Sequence, residues 1–136
     1  MRSFLIALAA LLFAVPAFAQ SPGALAPGLP APTGALATSK VVKATPGILY
    51  SFQVSADSTL SGGAWWVMIL NSPTDPGNGA VTPIKCFSAS SGTAALGGTY
   101  AAGGVAFSQG ITIVVSTTGC FTETQSAHAF ISADYQ

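Results

Sequence analysis

Ala64-Trp65-Trp66-Val67-Met68-Ile69-Leu70 decides the fold. The stretch is apolar at every position, and Gly63 and Asn71 bound it. A short apolar run without alternation, closed at both ends by turn formers, reads as a buried strand rather than a helix. Such a strand is central and covered on both faces. The rest of the chain must therefore supply the cover.

Working upstream, Ile48, Tyr50, Phe52 and Val54 alternate with Leu49, Ser51, Gln53 and Ser55. That period of two predicts a strand with one buried face, set by Ile48, Tyr50, Phe52 and Val54. Val41-Val42 opens a shorter strand that stops before Pro46-Gly47. Ala56 to Gly63 reads as a turn. Downstream, Asn71 to Gly79 (N-S-P-T-D-P-G-N-G) is a loop. Val81 to Phe87 is a strand whose Pro83 argues for an edge or a bulge. Ser88 to Gly98 reads as loop, and Thr99 to Phe107 as a weak, glycine-interrupted strand. Ile111, Ile113 and Val115 alternate with Thr112, Val114 and Ser116. Cys120 to Thr122 continues briefly, and Ala127 to Ala133 closes the domain.

About seven short strands with turn signals every ~8–14 residues predict an all-β domain, a small antiparallel β-sandwich. A transmembrane barrel is disfavoured, because it needs strands of ~9–11 residues with a polar lumen, and the Trp65-Trp66 strand has no polar face.

The chain has 136 residues, enough for one domain. Arg2, the apolar run Phe4 to Val15, Pro16 and Ala17-Phe18-Ala19 make the charged, apolar, A-x-A pattern of a signal peptide over residues 1–19. The run is too short to span a bilayer, and no later apolar stretch is longer than a strand. Residues 20–39 hold four prolines and three glycines, the composition of a semi-extended linker or arm. Leu25, Leu29 and Leu36 give that arm something to dock with. Residues 40–136 are the β-sandwich domain. The expected location is periplasmic or extracellular.

Beyond the signal, Lys40, Lys43 and Lys85 face Asp57, Asp75, Glu123 and Asp134. So weak a charge excludes nucleic acid as a partner, since phosphate binding needs clustered Lys and Arg. A near-neutral surface favours association, either with a protein or glycan surface or as a homo-oligomer. Cys86 and Cys120 are the two cysteines of an exported chain, and together they allow one intramolecular disulfide. In the chain-entropy picture a bridge of this span stabilises by roughly 3–4 kcal/mol.

No nucleophile elbow or Ser/His/Asp signature is present, and His128 is the single histidine. The four acids fall in turns or at the terminus, which does not suggest a built acid/base pair. The chain reads as non-enzymatic, with a small secreted hydrolase as an alternative. No metal or cofactor is expected. Asp75 and Asn78 lie in a glycine-containing loop but lack calcium-loop spacing. Trp65, Trp66 and Tyr50 are candidate ligand-binding residues, because an exposed aromatic platform would make the domain a carbohydrate-binding module. Adjacent strand residues point to opposite faces, so one of Trp65 and Trp66 belongs to the core.

Val81 to Phe87 (V-T-P-I-K-C-F), Gly110 to Thr122 (G-I-T-I-V-V-S-T-T-G-C-F-T) and Ala129 to Asp134 (A-F-I-S-A-D) resemble small uncharacterised β-domain proteins of alphaproteobacterial phages and prophages. The resemblance lies in the strand and cysteine pattern over residues 40–136. It implies a virion-associated or phage-derived surface module. The signal peptide departs from that pattern and favours an exported relative.

Overall fold

The computed structural model describes residues 29–124 and 128–136. The expected signal peptide (residues 1–19) and the first part of the expected arm, including Leu25, lie outside them.

The chain is all-β. In order, its elements are β1 (Leu29–Pro30), β2 (Ser39–Lys43), β3 (Gly47–Ala56), the one-turn helix α1 (Ser58–Ser61), β4 (Trp65–Asn71), β5 (Gly79–Ala80), β6 (Lys85–Ala89), β7 (Ala95–Thr99), β8 (Val105–Phe107), β9 (Ile111–Ser116), β10 (Thr122–Glu123) and β11 (Ala129–Tyr135). A five-stranded sheet runs β1-β11-β3-β7, with β8 also on β3, and a four-stranded sheet runs β2-β9-β4-β6. All pairings are antiparallel. The two sheets face each other over one core that includes Leu49, Phe52, Val54, Trp65, Val67, Ile69, Ile111, Ile113, Val115 and Ile131.

β4 is central, between β9 and β6. Trp65, Val67 and Ile69 point into the core, while Met68 and Leu70 join Val114 in a second buried cluster on the outer face. That second cluster explains why β9 is buried at all six positions despite its alternation. A flap covers it, made of residues 72–84 and 117–124 and joined by the short β5–β10 pair. Two hydroxyls on β9 stitch the flap down. Thr112 Oγ1 donates to Ser72 O at 2.8 Å, and Ser116 Oγ donates to Thr122 O at 2.6 Å.

Three local readings differ from the sequence pattern. First, a bulge in β3 displaces Tyr50. Tyr135 pairs with Leu49 and Asp134 with Ser51, so the register shifts between them. A one-residue shift exchanges faces. Leu49, Phe52 and Val54 are therefore the buried set, and Ile48 and Tyr50 are only half-buried. Second, β7 (Ala-Leu-Gly-Gly-Thr) occupies ground that reads as loop, because glycine and alanine carry little strand propensity. Its glycines suit a close approach. A Cβ on Gly98 would sit 3.0 Å from the Phe52 ring. Third, Asp57 turns the loop after β3 into α1 by accepting from Leu60 N at 2.7 Å, an N-cap.

The described part of the arm docks on its own domain. Ala31 N donates to Ala133 O, Thr33 N to Ile131 O and Ala37 N to Ala129 O, all along β11. The chain then crosses to the other sheet, where Val115 N donates to Thr38 O. Prolines at 30 and 32 alternate with the donors at Ala31 and Thr33, so the edge strand loses no hydrogen bond it needs. Leu36 remains exposed. Among the described residues no helix is long and apolar enough to cross a membrane.

Candidate functional site

The three aromatic candidates do not converge. Trp65 is fully enclosed, and its Nε1–H donates to Thr93 O at 3.1 Å. It offers no ring face to a ligand. Trp66 points to the other side of β4, half-buried, opposite Ser88 and Ser116. Tyr50 belongs to the other sheet, where its hydroxyl donates to Gln136 Oε1 at 2.8 Å. The exposed large apolar side chains among the described residues are Leu36, Val41, Ile84, Phe121 and Phe130, and they form no row of rings. Cys86 and Cys120 are joined, with Cα atoms 6.0 Å apart. The bridge ties the flap to β6.

The outer face of the five-stranded sheet is the candidate binding surface. The register of β11, β3 and β7 builds a grid there. One row is Phe130, Ser55 and Ala95. The next is Ser132, Gln53 and Gly97. The third is Asp134, Ser51 and Thr99. Alternation sends these positions outward while Ile131, Val54 and Phe52 point in. In the two lower rows Ser132, Gly97, Ser51 and Thr99 are small. An open groove of about 520 Å³ runs over the two lower rows. Ser51 Oγ donates to Asp134 Oδ2 at 2.5 Å, which fixes the one carboxylate of the groove. β7 is the rim. It pairs with β3 on one side only and carries no charged residue.

A second constellation lies under the flap on the opposite side of the sandwich, and the sequence pattern did not reveal it. Glu123 is 2% exposed, and neither of its carboxyl oxygens has a donor. Burial pushes its carboxyl up to about 8, and the facing Asp75 carboxylate adds to the shift. Asp75 is itself partly desolvated. Even so, the Ser39 hydroxyl, the Gly77 amide and Glu123 together hold its carboxyl below the ordinary value. The distances are 2.5 Å from Ser39 Oγ to Oδ2 and 2.8 Å from Gly77 N to Oδ1. Two carboxylates cannot hydrogen-bond each other unless one carries a proton. Burial and the facing Asp75 carboxylate both favour the protonated form of Glu123. With Glu123 sealed from solvent, substrate has no access to this pair, so it lacks the open cleft a hydrolytic pair requires.

The remaining acids are separate. Asp57 caps α1 and lies 3.7 Å from His128 Nδ1. Among the described residues no group of three or more His, Cys, Asp and Glu side chains gathers as a metal site. No protein-family model matches the chain, and neither a curated protein nor a solved structure is significantly similar to it.

Proposed function

We propose that this chain is an exported, non-enzymatic β-sandwich that works as a structural or surface-interaction module, through the β7 rim and the grooved outer face beside it. The observation that carries this reading is the free edge of β7. An edge strand presents unpaired N–H and C=O groups, and natural sheets usually guard them with Lys, Pro or a covering loop. Ala95–Thr99 has none of these guards in its own sequence. An extended strand from a second copy or another protein would extend the sheet there by main-chain hydrogen bonds. The groove would then receive the side chains of that strand from one face.

The signal-peptide pattern, the disulfide and the weak charge fit a protein that works outside the cytoplasm. The phage-like strand and cysteine pattern fits a surface module of the same kind. A carbohydrate-binding role built on Trp65, Trp66 and Tyr50 has less support, because one ring is enclosed and the other two lie on different sheets.

The test is to place charge on the rim with Ala95→Lys and Thr99→Lys together, both exposed positions. Light scattering and a peptide or glycan binding screen then compare this variant with the unaltered protein. Loss of association or of binding, with an unchanged melting temperature, supports the reading. Association that survives the two lysines counts against it.

A further inference from the structure

Glu123 sits where a carboxyl has no structural reason to be. It lies on β10 opposite Gly79, enclosed, with no donor for either oxygen. A glutamine there would fill the same volume without a titrating group. What the carboxyl adds is dependence on a proton.

The surroundings identify what that proton holds. Asp75 belongs to the loop 72–78, Glu123 to β10, and Ser39 to the start of β2. Their contacts join both halves of the flap to the edge of the four-stranded sheet. Beneath the flap lie Met68, Leu70 and Val114, with Val81 packed over them. The elements packed on β10 are β5 and β9. Neither carries a titratable residue, and within the loop 72–78 Asp75 is the titratable group. β2 also bears Lys40 and Lys43, but Lys40 alternates to the opposite face from Ser39, and the Lys43 chain lies against Gly47. His128 is drawn to Asp57. Lys85 on β6 is exposed and pairs with the core-facing Ile69, so it alternates to the opposite face from Cys86 and the flap. None of these cations compensates the charge of Glu123.

We infer that the Glu123–Asp75 pair is a proton-operated latch, closed while Glu123 is protonated and released when it ionises, so that the flap lifts and uncovers Met68, Leu70 and Val114. The step is a plain acid dissociation. The Glu123 O–H bond breaks and its proton passes to water or hydroxide. Two facing carboxylates then remain in a desolvated space, where like charges repel. The Cys86–Cys120 bridge stays intact and limits how far residues 117–124 can travel. The opened surface is apolar and lies on the other side of the molecule from the β7 rim. This device is therefore independent of the proposed function.

The Val81 amide reports the latch, because it donates to Phe121 O across the flap at 2.9 Å. Hydrogen exchange at Val81 and binding of an apolar-surface dye are followed from about pH 6 to about pH 10 in chelator-treated, metal-free buffer. In the unaltered protein, protection at Val81 beyond the intrinsic base-catalysed rate should fall by roughly tenfold or more across this range, with dye binding rising in step. Glu123→Gln keeps a donor for Asp75 and cannot ionise, so it should stay closed throughout. Constant protection in the unaltered protein, or the same transition in Glu123→Gln, overturns the latch. A transition that calcium chloride abolishes at alkaline pH also overturns it, in favour of a cation between the carboxyls. Should Glu123→Gln not fold, carbon NMR titration of the Glu123 carboxyl decides: a midpoint near the ordinary carboxylate value contradicts the latch, and one several pH units higher supports it.

Discussion

The rings of Phe52 and Phe87 meet across the interior with centroids 5.1 Å apart and planes tilted by 41°. Phe52 comes from β3 and Phe87 from β6, so this one contact joins the two sheets on the side where both have open edges. Tilted aromatic pairs add to their burial energy. Phe52→Ala should therefore cost about 3–5 kcal/mol. In a domain of this size that lowers the melting temperature by roughly 4–8 °C per kcal/mol. Thermal melting followed by circular dichroism checks it, and a loss below about 1 kcal/mol would show that the contact is not part of the core.

The Cys86–Cys120 bridge closes a separation of 34 residues and anchors the flap. Replacing both cysteines with serine should cost about 2–4 kcal/mol. The same loss should appear on adding reductant. A melting curve indifferent to reductant contradicts the assignment.

Trp65 and Trp66 should behave differently although they are adjacent. Trp65→Ala empties a fully buried site and frees Thr93 O, at a cost of about 3–5 kcal/mol. Trp66→Ala acts on a half-buried ring on the outer face and should cost clearly less. Denaturant melts of the two variants read the difference, and equal losses would contradict the facing assigned to β4.

Gly110 lies against the flap where it leaves β4. A Cβ there would meet Pro73 Cα at 2.6 Å and Ser72 O at 2.8 Å, both backbone atoms that cannot step aside. Gly110→Ala should destabilise by about 1–3 kcal/mol through this overpacking. Chemical denaturation checks it.

Stability should pass through a maximum in mildly acidic solution. Asp75 has its carboxyl lowered from 3.8 on folding, so its contribution is present above that value and is lost as pH falls. Glu123 has its carboxyl raised from 4.5 to about 8. Between those values the folded state holds a proton that the unfolded state has released. Its contribution is full below 4.5 and is lost as pH rises through about 8. Melting temperatures should therefore fall on the acid side as Asp75 is protonated, and on the alkaline side across the range from 4.5 to about 8, levelling off above it. Glu123→Gln should flatten the alkaline limb and leave the acid one, whereas Ser39→Ala should weaken the acid limb by removing a donor from Asp75.

Much of this architecture is written locally. The unbroken apolar run of β4, the Ile-Thr-Ile-Val-Val-Ser alternation of β9 and the two cysteines each mark their place without help from distant residues. The bulge at Tyr50 is not local. It depends on the register that β11 imposes, and it moves Leu49 rather than Ile48 into the core. β7 is invisible because its glycines answer to close approaches from β3: a Cβ on Gly97 would meet Phe52 O at 2.8 Å, and one on Gly98 the Phe52 ring at 3.0 Å. The carboxyl pair is hidden for a different reason. Asp75 and Glu123 each look like turn residues, and only the flap's return onto β9 brings them together. The signal available in the sequence was a charged residue beside a cysteine-bearing turn, which is too common to single out.

The most direct test of the proposed role is the oligomeric state of residues 20–136 in solution. Light scattering across a concentration series would compare the unaltered protein with Ala95→Lys/Thr99→Lys. The unaltered protein should form a discrete oligomer, or bind an extended peptide, and the charged-rim variant should lose that property while melting at the same temperature. An unaltered protein that stays monomeric and binds no peptide, or a variant that associates as before, would contradict the proposed role.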